Sequence, residues 1–250
     1  RERVYTRLSE AQACSELDDI VCAQEKLAEV REMTDLNSYE IAQMWNFYAF
    51  IYFGQDNYRE AISAYEMVLQ QADLPLGMET TTKFTLTQLY FQQERYQDSL
   101  DMLAEWFLVA QNPGPESYIL RAQIHYQLED YAQGIPAVLE GIEVARVQEK
   151  ELQENWYRLL NVFYYELEDY PNVINVLRTI IDSWPKREYF VQLSAMYGQE
   201  GNEVAQLALY ELAYDVGWLQ RSNEYVQMAQ LLLGQDIPVK AAKIMEAGLD

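Results

Sequence analysis

Trp45-Asn46-Phe47-Tyr48-Ala49-Phe50-Ile51-Tyr52, followed by Gln55-Asp56-Asn57 and then by Tyr58, Ala61 and Tyr65, is the stretch on which the fold turns. Apolar rings recur on both sides of a short polar break. Gln55-Asp56-Asn57 supplies turn residues, because Asp and Asn satisfy their own backbone and tolerate tight conformations. The reading is two helices, A and B, joined by a tight turn. Ala49 and Ala61 are the small residues that two closely packed antiparallel helices demand at their contact.

The pattern recurs along the chain. Phe84, Leu86, Thr87 and Tyr90 precede Tyr96, Ser99 and Leu103. Tyr118, Ala122 and His125 precede Tyr131, Gly134 and Val138. Tyr157, Leu160 and Tyr164 precede Tyr170, Val173 and Leu177, with Pro185 at the closing position. Phe190, Leu193, Ser194 and Tyr197 precede Tyr210 and Ala213, and Met228-Ala229 precedes Ala241, Met245 and Gly248. A degenerate first copy sets Ala11, Ala23 and Leu27 in the same places. Further turn residues stand at Glu129-Asp130, Glu168-Asp169 and Gly201-Asn202, and Asn112-Pro113-Gly114-Pro115 separates two copies.

This unit resembles the tetratricopeptide (TPR) repeat, W-x2-L-G-x2-Y…A-x3-F, which has a period of about 34 residues. With Trp45 as position 4, position 8 reads Ala11, Ala49, Thr87, Ala122, Asn161, Ser194 and Ala229. Position 11 reads Cys14, Tyr52, Tyr90, His125, Tyr164, Tyr197 and Leu232. Successive copies are offset by 33 to 39 residues, the excess lying around Leu74-Pro75-Leu76-Gly77 and Val147-Gln148-Glu149. The resemblance implies an all-α TPR solenoid of about seven antiparallel hairpins in a right-handed superhelix. It spans one domain over 1–250, with repeats near 4–37, 42–74, 80–112, 115–147, 154–185, 187–219 and 222–250. Each hairpin leaves an apolar face that stacking on its neighbours covers. Gly248-Leu249-Asp250 ends the last helix without a polar cap, so the natural protein is expected to continue beyond Asp250.

Composition agrees. Half of the 250 residues are apolar, with only 10 Gly and 7 Pro, which favours long amphipathic helices over a turn-rich β fold. No apolar run approaches the ~18 residues of a membrane span. With 18 basic against 40 acidic residues the formal charge is -22. Such a surface repels nucleic-acid phosphates and anionic lipids, leaving a neutral or basic partner.

Cys14 and Cys22 flank Leu17-Asp18-Asp19, which reads as a hairpin turn. If Cys14 ends one helix and Cys22 opens the next, their Cα atoms reach disulfide range. The alternative is a pair of small free cysteines at helix contacts. No His, Cys or carboxylate set accompanies them, so no metal site is expected.

In the TPR family the groove is lined by helix A through positions 2, 5, 9, 12 and 13. The resemblance therefore assigns Asn46, Phe50, Phe53, Phe84, Gln88, Phe91, Gln123, Tyr126, Arg158 and Tyr165 to a partner-binding groove. Position 12 is aromatic in four successive repeats, at Phe53, Phe91, Tyr126 and Tyr165. Rings supply rigid apolar anchors, and Asn46, Gln88 and Gln123 can pair with a peptide backbone. The alternative is that some of these rings pack between helices. The Lys/Asn clamp by which some TPR domains hold a C-terminal carboxylate is missing, with Arg158 the one strong cation at those positions.

An enzyme is not expected. His125, the single histidine, stands where other repeats place Tyr, so a packing role is the expectation. Glu140, Glu143, Glu149 and Glu151 belong to an acidic solvated face. There is no phosphate-cradling G-x-x-x-x-G-K-[ST] or G-x-G-x-x-G loop, and no cofactor is expected.

Trp156-Tyr157-x-Leu159-Leu160, Tyr164-Tyr165-Glu166-Leu167, Trp184-Pro185-Lys186, Gln192-Leu193-Ser194 and Glu211-Leu212-Ala213-Tyr214 succeed one another in order. Ala229-Gln230-Leu231-Leu232-Leu233, Ile237-Pro238 and Lys240-Ala241-Ala242-Lys243 continue the run. In these residues the chain resembles the TPR proteins encoded beside TonB-ExbB-ExbD-type energy-transduction genes of Gram-negative bacteria. The resemblance implies an exported, periplasmic scaffold serving outer-membrane iron uptake, with TonB- or ExbB-type proteins as partners and the two cysteines bridged. Open alternatives are a generic envelope adaptor in assembly or secretion, a peptide-sensing regulator, and a cytoplasmic location.

Overall fold

The computed structural model describes residues 2–248. Arg1, Leu249 and Asp250 lie outside the described residues, and so does the expected continuation of the chain beyond Asp250. Those described form fourteen α-helices and no strand. They are α1 (Glu2–Glu16), α2 (Ile20–Arg31), α3 (Ser38–Gly54), α4 (Tyr58–Leu69), α5 (Leu76–Gln92), α6 (Tyr96–Val109) and α7 (Pro115–Gln127). Next come α8 (Tyr131–Val147), α9 (Glu154–Glu166), α10 (Tyr170–Ser183), α11 (Arg187–Glu200), α12 (Glu203–Asp215), α13 (Ser222–Gly234) and α14 (Pro238–Ala247). The chain divides into two compact units, Arg1–Glu129 and Asp130–Asp250.

Every hairpin turn is built the same way. The residue seven after each position-8 residue is left-handed: Asp18, Asp56, Glu94, Glu129, Glu168 and Asp236 have φ of 56–60°, and Gly201 has 69°. In six of the seven the next N–H reaches back to the position-11 carbonyl at 2.9 Å, as Asn57 does to Tyr52, Arg95 to Tyr90, Asp169 to Tyr164 and Ile237 to Leu232. This 6→1 bond closes the end of helix A and reverses the chain. Six of the seven left-handed positions carry Asp or Glu rather than the usual Gly. Gln93-Glu94-Arg95, which carries no Gly, Pro, Asn or Asp, turns identically.

The small residues meet as the register requires. Ala11, Ala23, Ala49, Ala61, Thr87, Ser99 and Ala122 are at most 1% exposed. Where position 20 is polar, its side chain bonds the position-8 carbonyl: Ser99 Oγ to Thr87 at 2.8 Å, and Gln206 Nε2 to Ser194 at 3.0 Å. A polar group buried without such a partner would be costly.

The expected excess between copies is helix rather than loop. α5 starts at Leu76, with Pro75 as its N-cap, and α3 starts at Ser38 behind an Asn37–Glu40 capping box. In the first unit Leu27, Val30, Tyr48, Ile51, Leu86, Leu103 and Ile124 form the core. In the second, Phe163, Leu177, Ile180, Phe190, Met228 and Leu232 do.

Candidate peptide-binding surface

Position 12 falls in the last turn of helix A, beside the aromatic residue that opens helix B. Phe53 meets Tyr58 at 5.8 Å, Phe91 meets Tyr96 at 5.6 Å and Tyr165 meets Tyr170 at 6.3 Å, all edge-on. Each ring is thus braced by its own hairpin, an orientation aromatic pairs favour. The outer side stays open: Phe53 is 45% exposed, Tyr126 41% and Tyr165 53%, while Phe91 is half-buried. Phe50 (58%), Gln88 and Gln123 are exposed, and Asn46 is half-buried. In the second unit Arg158 is exposed. Phe84 departs from the groove reading, because its half-buried ring lies 4.9 Å from Trp106 in a cluster with Leu103 and Ile124.

The A-helix face holds clefts that reading the middle repeats alone does not reveal. Between α1 and α3 a cleft of ≈ 380 Å³ is lined by Tyr5, Leu8, Gln12, Tyr39, Gln43 and Phe47 among others. Tyr5, Leu8 and Gln12 occupy positions 2, 5 and 9 of the degenerate first copy, and the family rule applied there finds them. Between α11 and α13 a second cavity of ≈ 660 Å³ includes Val191, Ala195, Gly198, Gln206, Asn223 and Gln227. Gly198 stands at position 12, where the four preceding repeats carry a ring. A Cβ there would lie 2.9 Å from Gln206 Nε2, so the glycine lets the buried amide reach Ser194.

Polar pins join neighbouring hairpins. Tyr90 on α5 donates to Glu66 on α4 at 2.7 Å, and burial followed by that carboxylate pushes the phenol well above its ordinary range. Glu154 on α9 is held below the usual carboxylate value by Lys186, 2.7 Å away, and by the Tyr189 hydroxyl. Arg187 pairs with Glu224, whose other oxygen accepts the Gln220 and Arg221 N–H groups. His125 is buried at its helix-A position. Among the described residues no group of three His, Cys, Asp or Glu side chains could hold a metal ion, and no helix is long and apolar enough to cross a membrane.

Cys14 and Cys22 form a disulfide with Cα atoms 5.7 Å apart, across the turn of the first hairpin.

These features define an all-α TPR solenoid. No protein-family model and no curated protein matches the chain. Solved structures do. A tetratricopeptide repeat protein from Parabacteroides merdae is similar at 16% identity, over 99% of this chain and 93% of that one, with a TM-score of 0.55. YrrB, described as a TPR protein with an unusual peptide-binding site, is similar at 11% identity, over 87% and 97% of the two chains, with a TM-score of 0.53. The apo form of RapI is similar at 11% identity, over 98% and 96%, also with a TM-score of 0.53. At these identities the likeness is one of fold.

Proposed function

We propose that this chain is a non-catalytic protein-interaction scaffold whose A-helix face holds a peptide segment of a partner. The observation that carries the reading is the exposure of the position-12 rings Phe53, Tyr126 and Tyr165, the first and last of them braced by their own hairpins, beside exposed amides. Exposed apolar rings held in fixed orientations mark a binding surface, because little side-chain entropy remains to be lost on contact. Amides at Gln88 and Gln123 suit the alternating donors and acceptors of a peptide backbone. YrrB, similar in fold, is described as having a peptide-binding site.

The finer reading is that the partner belongs to a TonB-type energy-transduction complex of the periplasm. Its supports are the sequence resemblance, which spans most of residues 40–250 and is densest after residue 150, and the charge of -22, which suits a basic, extended partner segment and would steer its approach. The test is an in-cell crosslinking pull-down in a Gram-negative host that carries the system. Wild type is compared with Phe53→Ala/Phe91→Ala/Tyr126→Ala, whose helicity is checked by circular dichroism. Recovery of TonB- or ExbB-type components by wild type and their loss in the folded variant is the expected result. Capture of other envelope proteins alone refutes the finer reading, and equal capture by the variant refutes the ring surface.

A further inference from the structure

The first hairpin is tied together differently from its successors. α1 buries only Val4 and Ala11, whereas α3 buries Glu40, Ala42, Met44, Tyr48, Ala49 and Ile51. At position 11 the next two hairpins use a ring: Tyr52 packs into two core clusters, and Tyr90 reaches Glu66. In the first hairpin that place belongs to Cys14, which packs on the core shared by Ala11, Ala23 and Leu27 and is bonded to Cys22 where those two hairpins have a ring. Other ties between α1 and α2 include an ion network, Arg7–Glu29 at 2.6 Å and Lys26–Glu10 at 3.6 Å, on side chains 27–42% exposed. Such pairs contribute little in water and weaken with salt. Both cysteines are half-buried, within reach of a small thiol. α1 is also one wall of the cleft against α3, through Tyr5, Leu8 and Gln12.

We propose that Cys14–Cys22 is a redox latch on α1: a dithiol reductant opens it, α1 loosens from α2, and the α1–α3 cleft is lost while the rest of the first unit stays folded. A thiolate of the reductant attacks one sulfur, and the mixed disulfide is resolved by its second thiol. The reductant leaves as a disulfide, and the Cys14–Cys22 bond takes up two electrons and two protons to give two thiols. That the cleft receives a partner rests on the function proposed above. The latch itself does not.

The experiment is hydrogen–deuterium exchange read by mass spectrometry on the whole chain. It compares oxidised protein, protein in dithiothreitol, and Cys14→Ser/Cys22→Ser. Opening a loop with a sequence separation of 8 corresponds to a roughly 70-fold change in local opening. The α1 amides should therefore exchange about 70-fold faster on reduction and in the double variant, with α3 to α7 unchanged and reoxidation restoring protection. Unchanged exchange in α1 on reduction overturns the proposal. So does protection lost equally from α1 to α7, which makes the bond a support of the whole unit. Partner binding enters neither outcome, so failure of the functional reading leaves this result standing.

Discussion

Gly134→Ala is a small change with a large expected consequence. Gly134 lies on α8 at position 20, and a Cβ there would stand 2.4, 2.7 and 2.8 Å from three ring carbons of Phe163 on α9. Carbon–carbon contacts prefer about 3.5–4.0 Å, so ring or helix must give by about 1 Å. The ring has nowhere to go, being 0% exposed and packed 6.2 Å from Tyr131. Overpacking of this kind costs about 1–3 kcal/mol. Replacing a helical glycine works the other way by about 1 kcal/mol. The net expectation is a loss of up to roughly 2 kcal/mol, read as a lower urea midpoint at unchanged slope by far-UV circular dichroism. Phe163→Leu removes the clashing atoms, so adding Gly134→Ala in that background should be neutral or stabilising. The double-mutant cycle then returns a coupling of about 1–3 kcal/mol. If Gly134→Ala alone raises the midpoint by the full propensity gain, the close α8–α9 contact does not exist.

Three more outcomes rest on single side chains. Asn161 occupies a position-8 slot with its buried Oδ1 lacking a hydrogen-bond partner, so Asn161→Ala should stabilise by about 1 kcal/mol, and a loss in urea denaturation would contradict the register. Glu94 carries a left-handed penalty at φ 58°, so Glu94→Gly should be stabilising by up to about 1 kcal/mol in the same assay. Glu154 has a lowered pKa, from Lys186 and Tyr189, so its contribution is complete above the ordinary carboxylate value and is lost as pH falls through the lowered one. Acid titration of Glu154→Gln should accordingly show less loss of stability between neutral and acidic pH than wild type, and an identical profile would remove the pin.

Much of this protein is written in local sequence. Helix A, turn and helix B are legible because each is set by nearest neighbours: ring spacing, small residues twelve apart, and an acidic or amide residue where the backbone turns. Seven copies in near-register reinforce one another, which is why even the degenerate first hairpin can be placed. Gln93-Glu94-Arg95 is not legible as a turn because it carries no Gly, Pro, Asn or Asp, and its left-handed residue is closed over by backbone bonds, the Arg95 N–H to the Tyr90 carbonyl at 2.9 Å among them.

The surface is legible only in part. Position 12 sits in the last turn of helix A, and a rule of position leads to Phe53, Tyr126 and Tyr165, all of them exposed. Phe84 sits mid-helix, and whether it faces out or packs on Trp106 depends on the next helix, α6. The same holds for Gly134, whose lack of a side chain makes sense only once Phe163 is in place. Gly198 likewise needs Gln206, twelve residues from Ser194 but in contact with it. Sequence alone determined the hairpins, because their contacts are short-range and repeated. The clefts and the buried glycine contacts were decided by tertiary structure, because they depend on which side chains meet once separate helices are packed together.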